Sequence, residues 1–279
     1  MEVRKGEVLG LVGLNGAGKT SMIRVGAGLI LPTSGTVLLN GYDIVSEKVK
    51  ASSSVGWVPE FPNFDPHARA AELLEYLGGY NGLGGPSFRS RCFYLLGEVG
   101  LAGCEFQKLG SFSQGMKKRF SLATAILAKP QNLLLDELLN GLDPEGIRYV
   151  RNLISTLRKD GASILLSSHI LSEVENMANR IAILHNGSLL KVVSRDELHN
   201  STAQRLRVKL VEMEGDAPSY LSSIGEVTRD GLDFTISNPT SEPWEVNQEL
   251  VRRGCKVAEI RMDREDLESL FFRLIHEAR

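Results

Sequence analysis

The 279-residue chain has few of the features that would tie it to a membrane, a bound metal or a nucleic acid. None of its apolar runs approaches the roughly 18–20 residues that a membrane-spanning helix requires. Its three cysteines, Cys92, Cys104 and Cys255, are scattered without metal-ligand spacing, which predicts free thiols in a reducing compartment. The formal net charge is −2, so no basic excess favours nucleic acid or an anionic membrane surface. What remains is an ordinary globular composition, 42% hydrophobic and 24% charged.

One glycine-rich segment close to the N-terminus has the pattern of a phosphate-binding loop. Between Gly13 and Thr20 the order is glycine, four other residues, then Gly-Lys-Thr, which is the Walker A pattern. Its glycines allow backbone N–H groups to point at phosphate oxygens, Lys19 would reach the β- and γ-phosphates, and the Thr20 hydroxyl would ligate Mg²⁺. An apolar run at 7–12 predicts a buried strand before the loop, and a helix should begin near Lys19. The predicted phosphate-contacting residues are Gly13, Leu14, Asn15, Gly16, Ala17, Gly18, Lys19, Thr20 and Ser21.

Predicted strands and helices alternate along the rest of the first 200 residues. The segment 66–128 is predicted to be helical, with a glycine-rich break at 78–86, and another helix is predicted at 144–159. Short strands are predicted at 36–39, 133–135 and 163–166. This alternation indicates an α/β fold with a mostly parallel sheet.

After about residue 200 the pattern changes, and we predict a smaller α+β appendix. Asp263, followed three residues later by Asp266, predicts a cap for its last helix. The order β-α-β-β-α-β-α suggests a ferredoxin-like fold. The predicted elements are strands at 205–211, 226–229, 232–237 and 256–262, and helices at 218–224, 244–253 and 264–275.

A second motif narrows the choice among proteins with phosphate-binding loops, which include kinases, GTPases, helicases and transporters. Ser113-Gln114-Gly115-Met116 stands at the start of a predicted helix. A serine hydroxyl and an unobstructed glycine N–H at a helix N-terminus suit an anion, although a serine there is commonly only an N-cap. Behind a Walker A loop, this segment resembles the signature motif of ATP-binding-cassette (ABC) ATPases. The order of motifs resembles that family along nearly the first 200 residues.

The resemblance implies roles for residues that follow the predicted strands. Asp136 would be the Walker B aspartate, which holds Mg²⁺, and Glu137 the catalytic glutamate, which polarises the attacking water. His169 matches the switch histidine, which contacts the γ-phosphate and the same water. Glu60 falls at the Q-loop position, where contact with Mg²⁺ and with a membrane partner is expected.

Other positions are expected to act between two copies of the chain. In the family the signature motif contacts the γ-phosphate held by the opposite subunit, so Ser113, Gln114 and Gly115 would complete a partner's site. Asp143, within the segment 140–144, matches the D-loop and would help couple the two sites. The implied assembly is a homodimer or a pair with a paralogous ATPase subunit.

Two positions depart from the family's pattern. Glu60 stands where glutamine is usual, which keeps an oxygen ligand but adds a charge. Leu138 and Leu139 stand where Pro-Thr is usual. Without the proline the turn after Glu137 loses a fixed φ, which puts the placement of that carboxylate in question.

By resemblance, the chain is an ATP-binding and hydrolysing subunit that uses ATP and Mg²⁺ and powers export through a separate membrane permease. The segments 179–187 and 267–274 resemble ATPases of the ABC-2 type, often described as multidrug or antibiotic exporters. Such a chain would be cytoplasmic and peripheral on the inner face of the cell membrane, with no nucleic-acid partner. The alternative is a non-transport ABC ATPase in DNA repair, chromosome maintenance or translation control. Those proteins carry long coiled-coil insertions or two cassettes, which are not seen in this sequence.

Two domains follow from these patterns. Residues 1–200 would form the ABC nucleotide-binding domain, with a helical subdomain at about 66–128, and residues 201–279 a ferredoxin-like accessory domain. In the family about two strands, with an aromatic residue that stacks on adenine, precede the Walker A strand. Here that strand follows Met1 almost at once, so we expect Met1 to be an internal methionine of a longer natural protein.

Overall fold

The computed structural model describes residues 1–199, 204–212, 216–264 and 267–277. They form two compact units, Met1–Val193 and Ser194–Arg279, divided a little before the boundary expected at residue 200. A short 3₁₀ helix lies at Leu109–Ser111. The elements of the first unit are β1 (Val8–Val12), α1 (Lys19–Gly26), β2 (Leu38–Leu39), β3 (Tyr42–Asp43), α2 (Lys48–Ser52), β4 (Val55–Val58), α3 (Ala70–Gly79), α4 (Pro86–Glu98), α5 (Gln114–Ala125), β5 (Asn132–Leu135), α6 (Pro144–Lys159), β6 (Ser163–Ser167), α7 (Leu171–Met177), β7 (Arg180–His185) and β8 (Ser188–Ser194).

Strand β1 lies inside a six-stranded sheet in the order β4-β5-β6-β1-β7-β8. All of its residues are buried, which accounts for its continuous apolar sequence. Parallel pairing joins β4 to β5, β5 to β6, β6 to β1 and β1 to β7. The carboxyl ends of β1, β5 and β6 therefore meet at one edge of the sheet, where Gly13, Asp136 and Ser168 follow the strands. The mostly parallel α/β sheet predicted from the sequence is confirmed.

One local difference from the predicted strands and the start of one helix complete the first unit. The strand expected at 36–39 is only two residues long, and β2 pairs with β3 across Asn40 and Gly41, both of which have positive φ as tight hairpins require. Ser113 caps α5 by accepting a hydrogen bond from the Met116 N–H at 3.2 Å. Within the described ranges, no helix is both long and apolar enough to cross a membrane.

The second unit is an α+β fold around one four-stranded antiparallel sheet. The strand order is β10-β11-β9-β12, and the core includes Leu206, Val208, Phe234 and Ile236. This order of pairing supports the ferredoxin-like fold, which we keep as a proposal. The elements are α8 (Arg195–His199), β9 (Gln204–Leu210), α9 (Ala217–Ser223), β10 (Glu226–Asp230), β11 (Asp233–Ser237), α10 (Pro243–Arg252), β12 (Val257–Arg264) and α11 (Leu267–Glu277).

The predicted start of the last helix is wrong. Strand β12 continues through Asp263 and Arg264, which pair with Arg205 and Gln204 of β9. The described part of helix α11 is Leu267–Glu277. Arg264, which would have been the first helical residue, is still paired in the sheet ladder, so no helix begins there for Asp263 to cap. Asp266, the second residue of the proposed cap, lies outside the described residues.

A small residue in β4 is required by the close approach of neighbouring backbone. A Cβ atom at Gly56 would lie 2.3 Å from the Ala125 carbonyl oxygen and 2.8 Å from a methyl carbon of Leu133. We expect Gly56→Ala to lower the free energy of unfolding by about 1–3 kcal/mol, since the backbone must shift to relieve the overlap. Urea unfolding followed by circular dichroism measures this effect.

Gly97 in α4 provides the matched control for this prediction. Nothing lies within 4 Å of a Cβ at this helical position. Alanine is a better helix former than glycine, so Gly97→Ala should leave stability unchanged or raise it by up to about 1 kcal/mol. Equal urea midpoints for Gly56→Ala and the unsubstituted protein would contradict the packing argument.

Candidate active site

The loop between β1 and α1 needs glycine at several positions, either because a Cβ atom would not fit or because φ is positive. A Cβ at Gly13 would lie 2.5 Å from the Leu184 carbonyl oxygen, so any larger residue would collide with backbone. Gly16 and Gly18 have φ of 81° and 103°, in the left-handed region that glycine tolerates. The loop therefore brings its backbone N–H groups and the first turn of α1 to one side, as phosphate binding requires.

This loop borders a cavity of about 530 Å³ at the carboxyl edge of the sheet. The cavity brings together loop residues with residues that follow three separate strands. Gly13 and Leu14 do not line it, and they contact the Lys19 side chain through their carbonyl groups. The lining residues are Asn15, Gly16, Ala17, Gly18, Lys19, Thr20, Ser21, Glu60, Glu137, Asn140 and His169.

Lys19 connects the loop to the acidic end of β5. Its side chain is buried, and its Nζ donates a hydrogen bond to the Gly13 carbonyl at 2.8 Å. The same Nζ lies 3.5 Å from Oε1 of Glu137. A buried ammonium beside a phosphate-binding loop supplies a fixed positive charge where phosphate oxygens would lie.

Asp136 lies below the cavity surface and organises two hydroxyl groups. Its Oδ1 accepts hydrogen bonds from Thr20 Oγ1 at 3.2 Å and from Ser167 Oγ at 2.8 Å. In the part of the chain that the structure describes, no cluster of three or more His, Cys, Asp or Glu residues could hold a metal ion by itself. A hydroxyl and one carboxylate nevertheless suit Mg²⁺, which is typically held by one or two protein oxygens together with substrate phosphates and water. The residues present therefore fit this ion.

Glu137 is held at both of its carboxylate oxygens and at both its backbone N–H and its carbonyl group. His169 Nδ1 lies 2.8 Å from its Oε2, and Lys19 approaches its Oε1. Its N–H donates to Ser167 Oγ at 3.0 Å, and its carbonyl accepts from Lys118 Nζ at 2.5 Å. These contacts place the carboxylate at the cavity, although the residue has the unusual φ of 46°.

The two leucines that follow Glu137 are completely buried. They therefore anchor the turn by packing, where a proline would have restricted φ. Glu60 lies two residues after the end of β4 and lines the cavity. This is the residue that the resemblance places in the Q-loop.

Besides Gly13, Leu14 and Asp136, four further predicted site residues do not line the cavity of their own chain. Ser113 and Gln114 are exposed, and Ser113 caps α5. Gly115 follows them and is partly buried. Asp143 caps α6 by accepting a hydrogen bond from the Gly146 N–H at 3.0 Å.

Three residues of the site were not identified from the sequence. Asn140 lines the cavity, and its position in the segment 140–144 could have suggested this. Ser167 bridges Asp136 and Glu137 through one hydroxyl group. Lys118 is 6% exposed, and burial lowers the pKa of its ammonium, while Glu60, Glu137 and Asp136 oppose that shift. Nothing in the spacing around Ser167 or Lys118 indicated these contacts.

Comparison with known proteins identifies the family of this chain. The ABC transporter family model matches residues 1–140. The bacitracin transport ATP-binding protein BcrA of Enterococcus faecalis is 35% identical, over 99% of this chain and 89% of that protein. The daunorubicin resistance ATP-binding protein DrrA3 of Streptomyces coeruleorubidus is 30% identical, over 100% of this chain and 90% of that protein. A solved ATP-binding subunit of an ABC transporter matches with a TM-score of 0.66 at 31% identity, covering 72% of this chain and 84% of that one. The chain therefore belongs to the ABC transporter family, as one of its ATP-binding and ATP-hydrolysing subunits.

Proposed function

We propose that the cavity beside the glycine loop binds ATP with Mg²⁺, and that Glu137 promotes attack of water on the γ-phosphate. The observation that carries this proposal is the placement of the Glu137 carboxylate between Lys19 and His169. A cation for phosphate, a base for water and a histidine that orients the base meet within hydrogen-bonding reach. Phosphoryl transfer to water is a reaction that uses all three groups.

Each residue has a separate task in this scheme. Lys19 and the loop N–H groups hold the β- and γ-phosphates. Thr20 and Asp136, with Glu60 nearby, supply oxygen ligands for Mg²⁺, which when bound neutralises charge on the phosphate oxygens. The hydrogen bond between His169 and Oε2 of Glu137 fixes the orientation of the carboxylate that accepts the water's proton.

A second copy of the chain, or a paralogous ATPase subunit, would complete this site. Ser113 and Gln114 are exposed at the start of α5 and do not line their own chain's cavity. A helix N-terminus with an exposed serine can bind the γ-phosphate of a nucleotide held by a partner. Asp143 would respond to closure of the pair, because Gly141, two residues before it, lies beside the signature segment: its carbonyl oxygen would be 3.4 Å from a Cβ at Gly115. In this arrangement ATP would join the two copies, and hydrolysis would separate them.

The work of the ATPase is proposed to be export through a separate permease. Relatives are named for bacitracin transport and daunorubicin resistance, which favours an antibiotic-like export substrate for this chain. The ATPase would then be cytoplasmic and peripheral on the inner face of the membrane, without a nucleic-acid partner. A role in DNA repair or translation control is the alternative.

Phe61 offers a test of the permease proposal. It follows Glu60 directly, and it is 77% exposed. An aromatic side chain so exposed beside the Q-loop is suited to pack against a membrane partner. We expect the tagged chain, purified from membranes of its own source, to recover a polytopic permease, and Phe61→Asp to reduce that recovery at least about tenfold because it places a charge in an apolar contact.

Val251→Asp is the matched control, because Val251 is an exposed apolar residue on α10 of the second unit. It should leave permease recovery unchanged. The ATPase activity of both isolated variants should equal that of the original chain. Recovery of ribosomes or DNA in place of a permease would favour the non-transport alternative.

A further inference from the structure

Lys118 occupies an unusual position for a lysine. It lies on α5, five residues after the Ser113 cap, and only 6% of its surface is exposed. Its Nζ donates a hydrogen bond to the Glu137 carbonyl at 2.5 Å. A buried ammonium is costly unless its charge is used, and a neutral donor could have satisfied a single carbonyl.

The charges around Lys118 indicate a use for this ammonium. Glu60, Glu137 and Asp136 all lie near enough to favour its protonated form. These three carboxylates come from the segments that follow β4 and β5, whereas Lys118 comes from a helix of the 66–128 segment. Lys118 therefore joins α5 electrostatically to the acidic residues of the site.

The backbone of Glu137 needs such support. Its φ of 46° is disfavoured for a residue with a side chain, and Leu138 imposes no fixed φ of its own on the turn. Ser167 holds the N–H of Glu137, and the carbonyl accepts hydrogen bonds from Lys118 Nζ and from the Asn140 N–H at 3.2 Å. Loss of the Lys118 contact would leave the carbonyl with the longer Asn140 bond, and the peptide could then rotate and move the carboxylate away from His169.

We propose that Lys118 is a positioning residue that fixes the main chain of Glu137, and so couples the signature helix α5 to the catalytic base of the same chain. This inference rests on the proposed function of Glu137. Because Ser113 begins the same helix, closure of a partner on Ser113 would displace Lys118 and with it the Glu137 carbonyl. The carboxylate would thus be adjusted only when the partner is in place.

The test compares Lys118→Met with Lys118→Arg in steady-state ATP hydrolysis. Methionine keeps most of the length but removes both charge and donor, so we expect kcat to fall about 10- to 100-fold with KM for ATP unchanged, as for a base that is slightly misplaced. Arginine restores charge and donor, and should recover most of the turnover. Lys159→Met, at the exposed end of α6, is the matched control and should hydrolyse ATP at the original rate.

A double variant separates positioning from general structural damage. In the Glu137→Gln background, Lys118→Met should cause no further loss of residual turnover, because the group it positions is already inactive. Multiplicative losses, an unchanged kcat for folded Lys118→Met, or a raised KM would each overturn the inference. If Lys118→Met does not fold, Lys118→Leu, which also removes both charge and donor, takes its place with the same criteria. Undiminished turnover in Glu137→Gln alone would instead refute the proposed function on which the inference rests.

Discussion

Replacing Glu137 by glutamine is expected to lower the rate of ATP hydrolysis by about 10²- to 10⁴-fold, the usual contribution of a general base. Glutamine has the same shape, so the contacts with His169 and Ser167 can persist, but it cannot accept the proton of the attacking water. ATP affinity should be retained, because removing a carboxylate 3.5 Å from Lys19 takes a negative charge away from the phosphate site. Phosphate release and equilibrium binding of a fluorescent ATP analogue measure the two quantities separately.

Glu259→Gln is the matched control for this experiment. Glu259 is an exposed glutamate of β12 that pairs with Arg261, in the second unit of the chain. Its replacement should leave both turnover and affinity as they were. Hydrolysis by Glu137→Gln at the original rate would show that another group activates the water. A large loss of ATP affinity would show that Glu137 contributes mainly to binding.

The part of the site that the sequence predicted consists of contiguous motifs and strand ends. The glycine spacing of the segment 13–21 predicts a tight turn with left-handed backbone. The structure shows this backbone at Gly16 and Gly18, both of which have positive φ. Asp136 and His169 follow apolar runs that could be assigned as strands. Parallel strands carry their carboxyl ends to one edge, so residues after each strand were expected to meet there.

The contacts that the sequence did not predict join elements that are distant along the chain. Lys117 and Lys118 are neighbouring lysines that the sequence does not distinguish. Lys118 is buried because it lies on the side of α5 that packs inward, where this helix contacts β4. Ser167 precedes His169 by two residues, but its partners lie about thirty positions earlier. Such contacts depend on tertiary packing, which single-residue patterns do not encode.

Local signals also competed with each other. An aspartate before a helix, as at Asp143, fits both a D-loop residue and an N-cap; the structure shows the cap, and the D-loop role stays a prediction. At Asp263 the capping pattern predicted a helix start, but Asp263 and Arg264 instead continue the strand and pair with β9. Element order in the second unit was nonetheless predictable, since its strands alternate buried and exposed residues as at Leu206, Arg207 and Val208.

Replacing Lys19 by alanine is expected to abolish nucleotide binding at ordinary ATP concentrations. Hydrogen bonds to charged groups are worth about 1.5–3 kcal/mol, and the ammonium is expected to contact two phosphates. The Kd for ATP should rise at least about a hundredfold, which corresponds to about 2.8 kcal/mol. The carboxylate of Glu137 would also lose its nearest cation and repel the γ-phosphate, which adds to the loss. Isothermal titration with a non-hydrolysable ATP analogue in the presence of Mg²⁺ measures the change directly.

Lys159→Ala controls for the loss of a lysine as such. Lys159 is exposed at the last residue of α6, about 22 Å along that helix from Pro144, given 1.5 Å per residue. Its replacement should leave the Kd for ATP unchanged, and thermal unfolding should show that both variants fold. Because Lys19 also donates to the carbonyls of Gly13 and Leu14, the loop in Lys19→Ala loses these internal hydrogen bonds, and a modest fall in Tm is expected. An unchanged Kd for ATP in folded Lys19→Ala would contradict the assignment of residues 13–20 as the phosphate-binding loop, because the charge on which that assignment depends would then be dispensable.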